Sequence, residues 1–371
     1  MKIVGIVAEY NPFHAGHRYH IEQTRCRMGD DCAVVAVMSG NFVQRGECAI
    51  TDKWTRARMA LEGGADLVLE LPTVWACASA EHFAHGAVSI LKSAGADTLS
   101  FGSESGDSDG LKRVAAALDS DEFRNVLKNY LSEGLSFAVC RQKAVEELIG
   151  AEGAACLSDP NDNLGVEYLK AARRLNFDPE VIAVPRVGAA HDGGDHPEYP
   201  SASHVRRQIL TGEAALENPA SLTYNERGIL TILRSVKQED LTALPDSGEG
   251  LDRRLYEAIR KADTLEQVYD LAKTKRYAHA RIRRMVLWAA LGMKESDRPD
   301  APPYLRVLGA NERGRAVLKA IPDEVPVITK PSHGRGLPLM ELEARCTDFY
   351  AMCRKEYTPC GAEWSTSPVI L

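Results

Sequence analysis

Lys2-Ile3-Val4-Gly5-Ile6-Val7-Ala8-Glu9-Tyr10-Asn11-Pro12-Phe13-His14-Ala15-Gly16-His17-Arg18-Tyr19-His20 is the stretch from which the fold of this chain can be read. Its first seven residues are apolar and β-branched, the signature of a buried strand. Pro12 has no amide proton and a fixed φ, so strand pairing ends there. Gly16 removes a side chain where the chain turns into a helix, and Ile21-Glu22-Gln23-Thr24-Arg25 continues that helix. His14 and His17 therefore sit on a strand-to-helix turn beside the free amide donors of a helix N-terminus. Bare backbone donors with two imidazoles added form an anion site, and a phosphate chain is its natural guest.

Working outward, Ala33–Met38 is a second buried strand that leads into the polar loop Ser39-Gly40-Asn41-Phe42-Val43-Gln44-Arg45-Gly46. Open α/β sheets bind ligands at such carboxyl-end loops. Trp54–Leu61 reads as a helix capped by Asp52. Asp66–Leu71 is a third strand stopped by Pro72, Ser79–Leu91 an amphipathic helix, and Thr98–Phe101 a strand ending at Gly102-Ser103-Glu104. Helical segments around Asp109–Leu118 and Asp121–Leu148 precede a polar turn, Ser158–Gly165, and a helix, Val166–Leu175. Glu180–Pro185 then forms a fifth strand that delivers Arg186 at its end. A loop from Gly188 to Pro200 leads to Ser201-Ala202-Ser203-His204-Val205-Arg206, where hydroxyls open a helix and an arginine follows one turn in. That is a second phosphate-binding arrangement. The alternation implies an α/β fold with a Rossmann-like, doubly wound parallel sheet. His82 and His85 share a helix face, but no third ligand is evident, so no metal ligands are assigned.

The chain has 371 residues, 44% of them hydrophobic, which suits one large domain plus a smaller one. No apolar run reaches membrane-spanning length, and the start is too short for a signal peptide. Nine cysteines show no Cys-x-x-Cys pair and read as buried thiols in a cytoplasmic protein. Cys346, Cys353 and Cys360 recur every seven residues, as a helical core stripe would. The net charge of −7 makes any nucleic-acid site a local patch.

A composition break near Thr211–Pro219 divides the chain into residues 1–212 and a mainly helical part, 213–371. Ser221–Lys237, Leu251–Lys261, Thr264–Lys273 and Glu341–Lys355 read as helices. Leu305–Asn311 and Val325–Lys330 read as short strands or turns closing that region. Its informative strip is Lys273–Arg284, which carries Lys273, Lys275, Arg276, Arg281, Arg283 and Arg284 with no acid among them. Tyr277 and His279 are interleaved as candidate stacking groups. On an acidic protein this is a local footprint for a polyanion.

His14-Ala15-Gly16-His17 resembles the His-x-Gly-His signature of the nucleotidylyltransferases and class I aminoacyl-tRNA synthetases. Ser39–Glu47, Asp52–Ala57, Glu70-Leu71-Pro72, Ser79-Ala80-Glu81, Phe101–Glu104, Asn161–Tyr168, Ser201–Arg206 and Lys273–Tyr277 together resemble one family, the bacterial tRNA(Met) cytidine acetate ligases. The likeness covers most of the chain. Two departures stand out: within a family pattern closer to Ser-Ala-Thr-x-Ile-Arg, Ser203-His204-Val205 replaces the middle, and Cys48 stands where the family often has proline.

The resemblance implies an enzyme that forms N4-acetylcytidine at the wobble position of elongator tRNA(Met). Acetate attacks the α-phosphate of ATP to give acetyl-adenylate and pyrophosphate, and the cytidine amine then takes the acetyl group and releases AMP. It implies catalytic roles for His14 and His17. It also implies ATP contacts at Val7, Ala8, Glu9, Tyr10, Asn11, Pro12, Phe13, His14, Ala15, Gly16, His17, Arg18, Tyr19 and His20, at Gly102, Asn161 and Arg186, and at Ser203 and Arg206. Mg2+ is implied with ATP, but no carboxylate is identified as its ligand. The same residues admit two alternatives. A nucleotidylyltransferase making a dinucleotide cofactor leaves the basic strip unexplained, and a non-catalytic RNA-binding protein does not require both histidines.

Overall fold

In the computed structural model, which describes residues 1–29, 31–133, 137–187 and 200–371, one large sheet runs through both halves of the chain. Its strands are β1 (Lys2–Ala8), β2 (Cys32–Ser39), β5 (Leu67–Leu71), β6 (Thr98–Ser103), β7 (Glu180–Pro185), β8 (Leu305–Ala310), β9 (Val327–Ile328) and β10 (Val369–Ile370). A separate hairpin pairs β3 (Phe42–Val43) with β4 (Glu47–Cys48). The sheet order is β10-β8-β5-β2-β1-β6-β7, with β9 beside β8. All eight residues of β2 are buried, as a central strand covered on both faces requires.

The helices that position the site are α1 (Ala15–Met28), α2 (Lys53–Glu62), α3 (Ala80–Ser93), α4 (Pro160–Arg174), α5 (Ala202–Thr211), α6 (Leu251–Lys261), α7 (Leu265–Ala272), α8 (His279–Leu291) and α9 (Pro338–Met352). Progression from β1 to β2 to β5 moves one way across the sheet, and β6 then returns to the other side of β1. The strand order therefore reverses beside β1, and the crevice at its carboxyl end is the topological switch point where such sheets bind ligands. His14 follows β1 directly.

Three expectations change. First, Leu305–Ala310 does not close a separate helical region. It joins the main sheet as β8, antiparallel to β5, so the sheet is mixed rather than wholly parallel. Second, Asn161–Gly165 is the opening of α4 and not a polar turn. Pro160 is tolerated in a first helical turn, and Asp162 is buried at acceptor distance from the amides of Glu104 and Ser105, each at 3.0 Å. Third, Cys346 and Cys353 are buried but Cys360 is exposed beyond the end of α9, so the seven-residue spacing is not one core stripe. Residues 188–199 of the loop before α5, with residues 134–136, lie outside the described residues. Among the described residues, no helix is long and apolar enough to cross a membrane.

A buried charge cluster ties the two ends of the chain together. Lys53 Nζ lies 2.6 Å from both Glu70 Oε1 and Glu363 Oε2, and Arg306 Nε lies 3.6 Å from Glu363 Oε1. Burial works against the Lys53 ammonium, but Glu363 and Glu70 outweigh it and hold its pKa above the usual lysine value. Asn41 connects this cluster to the loop after β2: its Oδ1 accepts from Lys53 N at 3.0 Å, and its Nδ2 donates to Thr347 at 3.1 Å.

Candidate active site

His14 is the N-cap of α1, and the cap is reciprocal. His14 Nδ1 accepts from Gly16 N at 3.1 Å, while His17 Nδ1 accepts from His14 N at 3.2 Å. The two rings stack with centroids 3.8 Å apart. A neutral imidazole whose Nδ1 accepts must carry its proton on Nε2. The turn therefore fixes both histidines as Nε2–H donors, side by side at a helix N-terminus. Burial lowers the His14 pKa to about 4, with Arg186 and Arg206 adding to the effect. Burial likewise holds His17 well below the ordinary value, helped by His14, His20 and Arg186. Tyr10, at φ 46°, sets its ring edge against His17 at 4.9 Å and against Phe13 at 5.0 Å.

The other residues of the stretch divide by what they touch. Val7 and Ala8 pair with Val37 and Met38 in the sheet. Asn11 and Pro12 are buried, and Asn11 Oδ1 accepts from Ile50 N at 2.7 Å. Phe13 packs over Gly63, where an added Cβ would meet its ring. Ala15 and Arg18 are exposed. His20 Nε2 lies 3.0 Å from Ser100 Oγ, so it locks α1 to β6, and burial lowers its pKa to about 4. Glu9 Oε1 accepts from Gln44 N at 2.9 Å. Burial raises the Glu9 pKa against the opposing pull of that bond and of Arg206, Arg45 and Arg56.

The Ser201–Arg206 segment meets the histidine turn. Ser201 caps α5, and Arg206 Nη1 donates to Asn11 O at 2.8 Å, which draws α5 onto the histidine turn. Ser203 Oγ accepts from Arg206 Nη2 at 3.1 Å, so Ser203 positions the guanidinium. Arg186 leaves β7 with its amide on Ser103 O at 3.0 Å. Gly102 lies beneath it: a Cβ there would stand 3.8 Å from Arg186 Cγ. Asn161 spends its side-chain amide on Glu104, whose carboxylate also receives Asp162 N at 2.9 Å. Sequence reasoning missed Arg56, which is fully buried. Its guanidinium donates to the carbonyls of Thr51, Glu9, Ser39 and Gly40 and so gathers the ends of β1 and β2.

Elsewhere, His82 bonds Ser79 Oγ at 3.0 Å and His85 bonds Asp300 O at 2.9 Å. In the basic strip, Lys273 Nζ donates to Tyr277 O at 2.7 Å. Arg281 pairs with Glu249 at 2.7 Å, Arg284 with Asp246 at 2.8 Å, and Arg283 with Glu47. Lys275 and Arg276 are exposed. Tyr277 is buried with its hydroxyl on Glu249 O at 2.7 Å, so it does not offer a free stacking face. The tip of the β3–β4 hairpin presses on α8: Gly46 has φ +73°, and a Cβ there would come within 2.6 Å of Arg283 and Arg284 backbone. The basic strip thus lies against the loop that also holds Glu9.

The depressed histidine pKa values carry a consequence for stability. The unfolded chain binds protons near pH 6.5 that the folded chain refuses until about pH 4. Stability is therefore full above pH 6.5 and falls as the pH drops towards 4. A His20→Gln protein, whose amide can still bond Ser100, is expected to lose less thermal stability between pH 7 and pH 5 than the parent. Melting curves across that range check this, and parallel profiles would contradict it.

A family model described as HIGH Nucleotidyl Transferase matches residues 1–363. The tRNA(Met) cytidine acetate ligase of Caldicellulosiruptor saccharolyticus is 39% identical, over 96% of this chain and 95% of that protein. The chain belongs to the tRNA(Met) cytidine acetate ligase family of HIGH nucleotidyl transferases. A second family member, from Clostridium perfringens, is 35% identical over the whole of both chains. The crystal structure of apo Thermotoga maritima TmcAL superposes with a TM-score of 0.93 at 30% identity, covering 100% of both chains. The same Thermotoga protein bound with alpha-thio ATP gives a TM-score of 0.91.

Proposed function

We infer that this family member is an ATP-dependent ligase that acetylates the N4 amine of the wobble cytidine in elongator tRNA(Met), using acetate and acting in the cytoplasm. The single observation that carries the chemistry is the reciprocal cap, which fixes two stacked neutral imidazoles as Nε2–H donors beside a helix N-terminus. A cytosine amine delocalises its lone pair into the ring and does not attack free acetate, so the carboxylate must first be activated. In the first step an acetate oxygen bonds to the α-phosphorus and the bond to pyrophosphate breaks. His14 and His17 donate to oxygens on which charge develops, and Arg186 and Arg206 supply fixed positive charge around them. In the second step nitrogen bonds to the acetyl carbon, the bond to the AMP oxygen breaks, and the amine loses a proton.

Residues 1–212 hold ATP in this reading, and the basic surface of 213–371 receives the tRNA. Among the described residues near the histidines, Glu9, Glu104 and Asp162 are each committed to amide or hydroxyl donors. In this reading Mg2+ enters with the phosphates of its substrate, since these three carboxylates beside the histidines already have donors to satisfy. ATP–pyrophosphate exchange is the test. Exchange that requires acetate is expected. Exchange that ignores acetate would favour a dinucleotide-forming transferase, and no exchange by the folded protein would leave an RNA-binding protein.

A further inference from the structure

Six cations make the strip Lys273–Arg284 basic, but the fold uses them unequally. Arg281, Arg283 and Arg284 are neutralised by Glu249, Glu47 and Asp246 from other parts of the chain. An arginine already held by a carboxylate contributes little to the field seen by a polyanion. Lys275 and Arg276 differ: their side chains are exposed, and among the described residues no acid pairs with them. They line a cleft of about 460 Å³ between α6 and the turn that precedes α8.

Two more cations reach the same cleft from α6, which is separate in sequence from the strip. Arg253 and Arg254 are exposed there, and Glu257 is the only acid among the lining residues. The walls are held by specific bonds. Arg254 Nε donates to Ala272 O at 2.9 Å, which fixes the guanidinium on the carboxyl end of α7. The Arg276 amide donates to Thr274 Oγ1 at 3.2 Å, and the buried Tyr277 pins the turn through its hydroxyl. The first turn of α8 adds no acid to this surface.

We propose that this cleft, formed by Arg253, Arg254, Lys275 and Arg276, is where backbone phosphates of the RNA substrate dock, and that Arg281, Arg283 and Arg284 brace the domain instead. The proposal rests on the reading that the partner is RNA. Four cations facing one acid suit a phosphodiester chain, whose charges are closely spaced and each bonded by planar or ammonium donors. The helix that follows the cleft, α8, also packs under Gly46, in the loop whose Gln44 amide donates to Glu9 just before the histidine turn.

The test compares two charge-removed proteins by filter binding of an unmodified elongator tRNA(Met) transcript across a salt titration. The Arg253→Gln/Lys275→Gln/Arg276→Gln protein is expected to bind about tenfold or more weakly near physiological salt. Its slope of log affinity against log salt should be shallower by roughly two to three, at 0.7–0.9 for each lost phosphate contact. The Arg281→Gln/Arg284→Gln protein, checked by circular dichroism to be folded at the assay temperature, should keep the parental slope. A parental slope in the triple variant, or equal flattening in both variants, would overturn the cleft assignment. A parent protein with no salt-dependent affinity for the transcript would instead overturn the RNA reading, and the cleft assignment would fall with it.

Discussion

A folded His17→Ala protein is expected to form acetyl-adenylate about a hundredfold or more slowly than the parent, the usual cost of losing one preorganised donor at a reacting phosphate. The substitution also removes the Nδ1 acceptor for the His14 amide, so the cap and the proposed catalytic donor are lost together. His17→Asn separates them. Its side-chain oxygen can still accept that amide bond, but the ring Nε2–H is gone. Acetate-dependent pyrophosphate release should therefore stay low in His17→Asn while thermal stability returns towards the parental value. Recovery of activity together with stability would make His17 a cap and nothing more.

The largest effect on stability is expected at Lys53, in the buried charge cluster. Lys53→Met leaves Glu70 and Glu363 buried without their shared cation, and breaking such a pair from one side costs about 3–5 kcal/mol. Urea unfolding followed by tryptophan fluorescence measures this, with a loss below about 1 kcal/mol contradicting it. Glu363 is contributed by the last residues of the chain, and Glu70 by a central strand. The cluster therefore holds the carboxyl-terminal segment against the sheet that carries the candidate site. Asn41, bonded to Lys53 N and Thr347, passes that support to the loop after β2.

What the sequence revealed and what it hid follow from the range of the interactions. The strand, the histidine turn and α1 are legible because each depends on neighbours within a few residues: a β-branched run, a proline, a glycine and a cap. The arginine one turn into α5 is legible as a candidate phosphate ligand, whereas the bond from Arg206 to Asn11 O is not, because α5 reaches the turn only through tertiary packing. The opening of α4 was misread because Asn and Asp favour turns locally, whereas here a buried carboxylate collects donors from β6 and its exit. The return of β8 and β10 to the main sheet depends on partners hundreds of residues away. One signal did exist: Glu70 stands inside the otherwise apolar Leu67-Val68-Leu69-Glu70-Leu71, and a buried charge in a strand demands a cation from elsewhere. In the basic strip, the acids that pair with Arg281, Arg283 and Arg284, namely Glu249, Glu47 and Asp246, are invisible to a count of local charge.

Acetate, ATP and elongator tRNA(Met) are the proposed reactants for N4-acetylcytidine. Incubation of the purified protein with carbon-13-labelled acetate, MgATP and an unmodified elongator tRNA(Met) transcript, followed by nucleoside mass spectrometry, tests this proposal most directly. Labelled N4-acetylcytidine confined to the wobble position is expected, with one AMP formed per acetyl group transferred and no product when either ATP or acetate is omitted. Unmodified cytidine after complete turnover conditions, or label that appears without ATP, would contradict it.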